Sequence, residues 1–109
     1  MISYFVRYRG TSSDAKGFRD HYETRHAEIL RRFPRIRSLI VHHPVMWRDP
    51  MPVRGGDTFL LAQMQFGTVE ELDAALRSEA RREARKDFEV FPVFSGEVTH
   101  EALAGKVVF

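Results

Sequence analysis

Phe18-Arg19-Asp20-His21-Tyr22-Glu23-Thr24-Arg25-His26-Ala27-Glu28-Ile29-Leu30 is the stretch on which the reading of this chain turns. At about 3.6 residues per turn it forms the middle of an amphipathic helix running from about Asp14 to Arg32. Ala15, Phe18, Tyr22, Ile29 and Phe33 share one stripe, and Arg25 and His26 sit on its two flanks. His26 follows Tyr22 by one turn, so the two side chains are neighbours. His21, Asp20, Glu23, Thr24 and Ala27 point elsewhere, and the five-residue step from His21 to His26 separates those two around the helix. The pattern puts a tyrosine and a histidine, both titratable, where a core is expected. Thr11-Ser12-Ser13-Asp14 offers N-caps before it, and Pro34 stops it.

Strand-like segments lie on both sides of this helix. Ile2 to Arg9 alternates Ile2, Tyr4, Val6 and Tyr8 against Ser3, Phe5, Arg7 and Arg9, with Gly10 as its end. Ile36 to His43 is a second strand, and Thr58 to Phe66, an apolar run with few breaks, reads as a central third, largely covered on both faces. Between them, Pro44 to Asp57 carries three prolines, Gly55-Gly56 and the only tryptophan, Trp47, and reads as a long loop. Thr68-Val69-Glu70-Glu71 has the capping-box pattern that opens a second helix. Ser78 caps a further helical segment to about Val90, with Ala80, Ala84, Phe88 and Phe91 inward and Pro92 at its end. Phe94 to Thr99 is the fourth strand, and the apolar tail from His100 to Phe109 is expected to dock. The order β-α-β-β-α-β specifies an α+β, ferredoxin-like fold with a four-stranded antiparallel sheet. Two helices cover one face of such a sheet. A second copy is the simplest cover for the other, so a homodimer is expected.

The totals narrow the field. With 109 residues the chain, 1–109, is expected to be a single domain. No run approaches ~18 uninterrupted apolar residues, so no membrane helix is expected. Met1-Ile2-Ser3-Tyr4 enters a strand directly, without the pattern of a secretory signal, and cysteine is absent. A cytoplasmic location is the expectation. The net charge is +2, and the arginines cluster at Arg31–Arg37 and at Arg81–Lys86. The second cluster is interleaved with Glu79, Glu83, Asp87 and Glu89, as on a solvated helix face with local ion pairs. Nucleic-acid binding calls for a one-signed patch with stacking aromatics and is not expected.

Several of these pieces together resemble one family, the EthD-like branch of the dimeric α/β-barrel superfamily. Phe18, Tyr22 and His26 match its F-x-x-x-Y-x-x-x-H first helix. The Pro34-Arg35-Ile36-Arg37 approach to strand two, the Thr68–Leu76 helix, Ser78-Glu79-Ala80 and Asp87 extend the similarity over nearly the whole chain. The chain departs from the family at His26-Ala27-Glu28, where a proline often follows the histidine shortly. The resemblance implies two sheets packed into a barrel, with a ligand pocket in each subunit between helices and sheet. It also implies cofactor-independent chemistry on small hydrophobic or aromatic molecules, of isomerase, lyase or oxidoreductase (monooxygenase) type. The alternative is a non-catalytic ligand-binding or accessory protein of an oxidative degradation pathway.

Within that frame His26 is the candidate general base or acid, Tyr22 its partner or a donor to a substrate oxygen, and Arg25 an oxyanion contact. Each has a plainer reading: a satisfied buried histidine, a core tyrosine with a polar tip, and an arginine snorkelling to solvent. Tyr4, His42, Phe66 and Phe88 are candidates for the pocket lining, and Trp47 for a lid or a dimer contact. His42 and His43 are adjacent in a strand, so only one can face the pocket. Asp87, beside Phe88, reads as structural. No H-x-H, H-x-x-x-H, P-loop, G-x-G-x-x-G or G-x-S-x-G motif occurs, so neither a metal nor a cofactor is expected.

Overall fold

The computed structural model of the chain describes residues 1–109. Strand β1 (Ile2–Ser12) leads into helix α1 (Ala15–His21), a π-helical segment (Tyr22–His26) and helix α2 (Ala27–Arg31). Strands β2 (Ser38–His42) and β3 (Thr58–Phe66) follow, then helices α3 (Val69–Leu76) and α4 (Glu79–Asp87). A single 3-10 turn (Phe88–Val90) and strand β4 (Phe94–Ala104) complete the fold. The sheet order is β2-β3-β1-β4, with every neighbouring pair antiparallel. This is the ferredoxin-like βαββαβ arrangement.

Cross-strand register decides which side chains share a face. Tyr4 lies opposite Met64, Val6 opposite Ala62 and Tyr8 opposite Leu60, and all six are buried. Against this face the helices bring Phe18, Leu30, Leu72, Ala75, Ala80 and Ala84. Phe18 is the hub, within aromatic contact of Tyr8, Phe59, Phe88, Phe91 and Phe94. The other sheet face carries Phe5, Leu61, Ile40 and Leu103 among polar groups, including Gln63 bonded to Ser3 and Gln65 to Ser38. No helix covers it.

The helix starts use the caps that the sequence offers. Asp14 accepts from the Gly17 N–H at 2.9 Å, Thr68 from Glu71 at 3.1 Å and Ser78 from Arg81 at 3.3 Å. Glu71 reaches back to the Gly67 N–H, one residue before the expected reciprocal partner.

Three expectations need correction. β1 does not end at Gly10: it runs on to Ser12, because Gly10 pairs with Gly96 of β4, both at φ near +147°. A Cβ on either would lie about 2 Å from the opposite backbone, so two glycines are what let the strands continue. The segment from His100 to Ala104 prolongs β4, and the remaining tail, with Val107, Val108 and Phe109, is exposed rather than docked. The long rod from Ala15 to Arg31 is not uniformly α-helical. In its π segment the Ala27 N–H reaches the Tyr22 carbonyl five residues back, the π-type bond that accommodates an extra residue in the turn. No helix of the chain is long and apolar enough to cross a membrane.

Candidate functional site

The π segment determines which histidines meet. In a regular α-helix, His21 and His26 would point roughly 140° apart. Here the wider turn brings both rings to Asp87 at the end of α4, with His21 Nε2 at 2.8 Å and His26 Nδ1 at 3.0 Å from the same carboxylate oxygen. Asp87 is only 8% exposed. Burial pulls its pKa upward, but hydrogen bonds from His26 and His21 and their charges outweigh that, leaving it below the ordinary carboxylate value. It is therefore ionised at neutral pH and accepts only, so both ring nitrogens facing it must donate. His26 is fixed with its proton on Nδ1. Nε2 is left unprotonated, on a ring that lines the cavity.

Burial pushes the His26 pKa down, and nearby His21 adds to this. The Asp87 hydrogen bond and charge oppose it, but the net position is below the ordinary histidine value. A neutral imidazole with an unprotonated Nε2 is the form that removes protons near pH 7. Phe91 steadies both rings edge-on, with centroid distances of 4.3 Å to His21 and 5.1 Å to His26.

The cavity has a volume of about 440 Å³ and lies between the helices and the inner sheet face. Tyr22, His26 and Leu30 wall it from the helical rod, Tyr4, Tyr8 and Met64 from the sheet, and Phe88 from the end of α4. Its hydroxyls stay protonated. Burial pushes Tyr8 up to about 12, only partly opposed by its hydrogen bond with Tyr22, and holds Tyr22 well above the usual phenol range. Tyr4 meets His100 Nδ1 at 2.7 Å. No group of three or more His, Asp or Glu side chains is placed to hold a metal ion, and in the His21–Asp87–His26 trio the ring nitrogens near the carboxylate already donate to it.

Of the residues singled out in the sequence, Tyr22, His26, Tyr4 and Phe88 come together around this cavity. Tyr22 is 1% exposed and packs against the His26 ring at 4.7 Å, but Asp87 rather than Tyr22 holds that ring by a hydrogen bond. The others lie elsewhere. Arg25 projects outward with its side chain 75% exposed, its Nε 3.8 Å from Asp87 Oδ1. His42 is on edge strand β2, exposed and bonded to Gln63 on the face away from the helices. His43 is exposed beyond the end of that strand. Trp47 stands 59% exposed in the loop. Phe66 is sealed in the core at the end of β3 and does not reach the cavity.

Sequence reasoning gives Asp87 only a structural reading, sets His21 apart from the site and does not find His100, Arg81 and Arg85. The arginines had a visible signal, since Arg81, Ala84, Arg85 and Phe88 fall at the i, i+3, i+4, i+7 spacing of one helix face, and all four line the cavity. The ion pairs expected for this helix belong to its other residues, Arg82 with Glu79 and Glu83 with Arg32. His100 shares the inner face with Tyr4 by strand alternation along β4, which runs past the Thr99 end expected from the sequence.

No protein-family model and no curated protein sequence matches the chain. Among solved structures it is similar to an ethyl tert-butyl ether D (EthD) family protein from Bacillus halodurans, at 19% identity and a TM-score of 0.71, over 97% of this chain and all of that one. It is also similar to a hydroxynitrile lyase from Passiflora edulis, at 14% identity and a TM-score of 0.68, over 99% and 95% of the two chains. SnoaB, a cofactor-independent oxygenase from Streptomyces nogalater, aligns at 11% identity and a TM-score of 0.64 over 98% and 94%. At these identities the likeness establishes a shared fold.

Proposed function

We propose that this chain is an EthD-like, cofactor-independent enzyme that moves a proton on a small hydrophobic or aromatic molecule held in the cavity. The observation that carries this reading is the buried Asp87 holding the Nδ1 proton of His26 while Nε2 stays unprotonated on a ring that lines the cavity. His26 Nε2 takes a proton from an activated carbon, the electron pair stays on the substrate as an enolate, and Asp87 stabilises the imidazolium that forms. Asp87 is thus a positioning residue, as is His21. Tyr22 and Tyr8 keep their protons and serve as walls and donors. An oxygenase and a lyase are both found on this fold, and a base poised near neutrality can serve either chemistry.

The reading includes a homodimer. The sheet face bearing Phe5, Leu61, Ile40 and Leu103 has no cover within the chain, and a second sheet supplies one of matching shape. Light scattering at micromolar concentration should give twice the monomer's 12.7 kDa.

Deuterium exchange tests the chemistry without a known substrate. A panel of small aromatic 1,3-diketones and β-ketoesters in D₂O, followed by proton NMR, should include members whose α-proton exchange the protein accelerates. His26→Ala should lower that acceleration by about a hundredfold or more, with fold and oligomeric state retained. Equal exchange by the variant would end the proposal.

A further inference from the structure

We infer that the cavity takes its ligand as an organic carboxylate, whose charged end is held by Arg81 and Arg85 while its apolar body lies among the aromatic walls. This rests on the cavity being the ligand site. It adds the class of molecule.

The argument begins with charge. Arg81 and Arg85 are one turn apart on α4, so they stand side by side on the cavity wall. Two other arginines nearby are paired, Arg82 with Glu79 at 2.8 Å on the same helix and Arg32 with Glu83 at 2.6 Å across from it, whereas neither Arg81 nor Arg85 has an acidic partner. The cavity lining contains no aspartate or glutamate. Two like charges at that spacing repel one another, and no acidic side chain of the chain pairs with either; Arg81 is half-buried and Arg85 exposed.

The polar groups nearby have the same bias. Burial, with Arg81 and Arg85 adding to it, lowers the His100 pKa, so that ring is neutral near pH 7. Its Nδ1 meets the Tyr4 hydroxyl at 2.7 Å, and in the tautomer where that hydroxyl donates the imidazole proton lies on Nε2 as one more donor. The lining thus offers two guanidinium groups and an imidazole N–H, and only His26 Nε2 as a strong acceptor. A donor-rich end matched to planar, bidentate geometry suits a carboxylate, whereas a neutral ligand would leave its charge to water alone. A volume of about 440 Å³ accommodates an aryl or alkyl acid of modest size.

The test compares 2-naphthoate with 2-naphthamide, a pair matched in shape and differing in charge, by calorimetric titration of the full chain at pH 7.5. Naphthoate should bind about tenfold more tightly at low salt, and its advantage should shrink as sodium chloride is raised. Arg81→Met and Arg85→Met should each remove part of the advantage and together abolish it, with naphthamide affinity unchanged. The Arg81→Lys, Arg85→Lys double variant keeps both charges and should keep part of the preference. Equal affinities in the wild type, or a preference that survives the double methionine variant, overturns the inference and leaves the cavity as a site for neutral ligands. Saturable binding by neither compound overturns the cavity reading along with it.

Discussion

Replacing Asp87 by asparagine tests the centre of the site with almost no change of shape. The wild-type carboxylate accepts from His21 at 2.8 Å and from His26 at 3.0 Å through one oxygen, in a position only 8% exposed. Asparagine keeps one accepting oxygen but puts an NH₂ where the carboxylate had its second. One amide oxygen cannot replace two charge-assisted bonds, each worth about 1.5–3 kcal/mol. With weaker neutral bonds partly restoring the loss, the variant should be about 2 kcal/mol less stable at pH 7 by urea denaturation. The chemical effect is larger. Without the anion, nothing obliges His26 to keep its proton on Nδ1, and an NH₂ turned toward the ring would force that proton onto Nε2. In a Ser-His-Asp triad the same loss of tautomer control lowers turnover about ten-thousand-fold. Here α-proton exchange should fall at least about a hundredfold. Long-range ¹H–¹⁵N correlation of the imidazoles reads the cause directly: Nδ1–H for His26 in the wild type, and Nε2–H or a mixture in the variant. A wild-type His26 protonated on Nε2, or a tautomer unmoved by the substitution, would refute the reasoning.

Other outcomes follow from particular contacts. Deleting Thr24, an exposed residue of the π segment, should leave His21 and His26 four residues apart in a regular α-helix, still on one side of it and both able to reach Asp87; a His21 imidazole spectrum shifted as if released from Asp87 would show that the contact needs the π turn itself. Gly96→Ala places a Cβ 2.0 Å from the Arg9 carbonyl oxygen at a φ of +148°, so a loss of about 3 kcal/mol or more is expected, and a urea midpoint near that of wild type would mean the strands can part there cheaply. Phe18→Ala empties a fully buried position ringed by aromatics and should cost about 3–5 kcal/mol. Acid should also weaken the fold in a defined window. The unfolded chain takes up a proton on His26 near the ordinary pKa of about 6.5, while the folded chain resists until lower pH, so this contribution to stability declines as pH falls from about 7 toward 5. His26→Gln should flatten that decline, and a slope that persists unchanged in the variant would assign it to other groups.

The fold was legible because its signals are redundant. Tyr4, Val6 and Tyr8 alternate in period two, and Leu60, Ala62, Met64 and Phe66 do the same on the strand they face. Thr68 and Ser78 mark helix starts by side-chain chemistry that has few other uses. Where two rules conflicted, the local one misled. Gly10 alone reads as a strand end, and only Gly96, 86 residues later, reveals that the pair exists so that two backbones can approach. A single-sequence pattern has no term for a residue whose reason lies across the sheet.

The site was less legible for the same reason, compounded by one local irregularity. Tyr22 and His26 were found because their spacing obeys the α-helical period, and they would lie on one side in either kind of helix. His21 was lost because the period was applied where it does not hold: five residues are wrong for an α-turn and right for a π-turn, and nothing in Tyr22-Glu23-Thr24-Arg25-His26 announces which will form. Asp87 was then left without its reason. A buried carboxylate needs partners, and its two partners were being sent to opposite sides of the helix. The irregular turn, the paired imidazoles and the buried anion therefore form one feature rather than three. A π segment weakens the regular hydrogen-bond ladder of its helix, and what accompanies that departure here is a second donor for Asp87. That donor helps keep the carboxylate ionised in a buried setting, and the ionised carboxylate keeps Nε2 of His26 free of its proton.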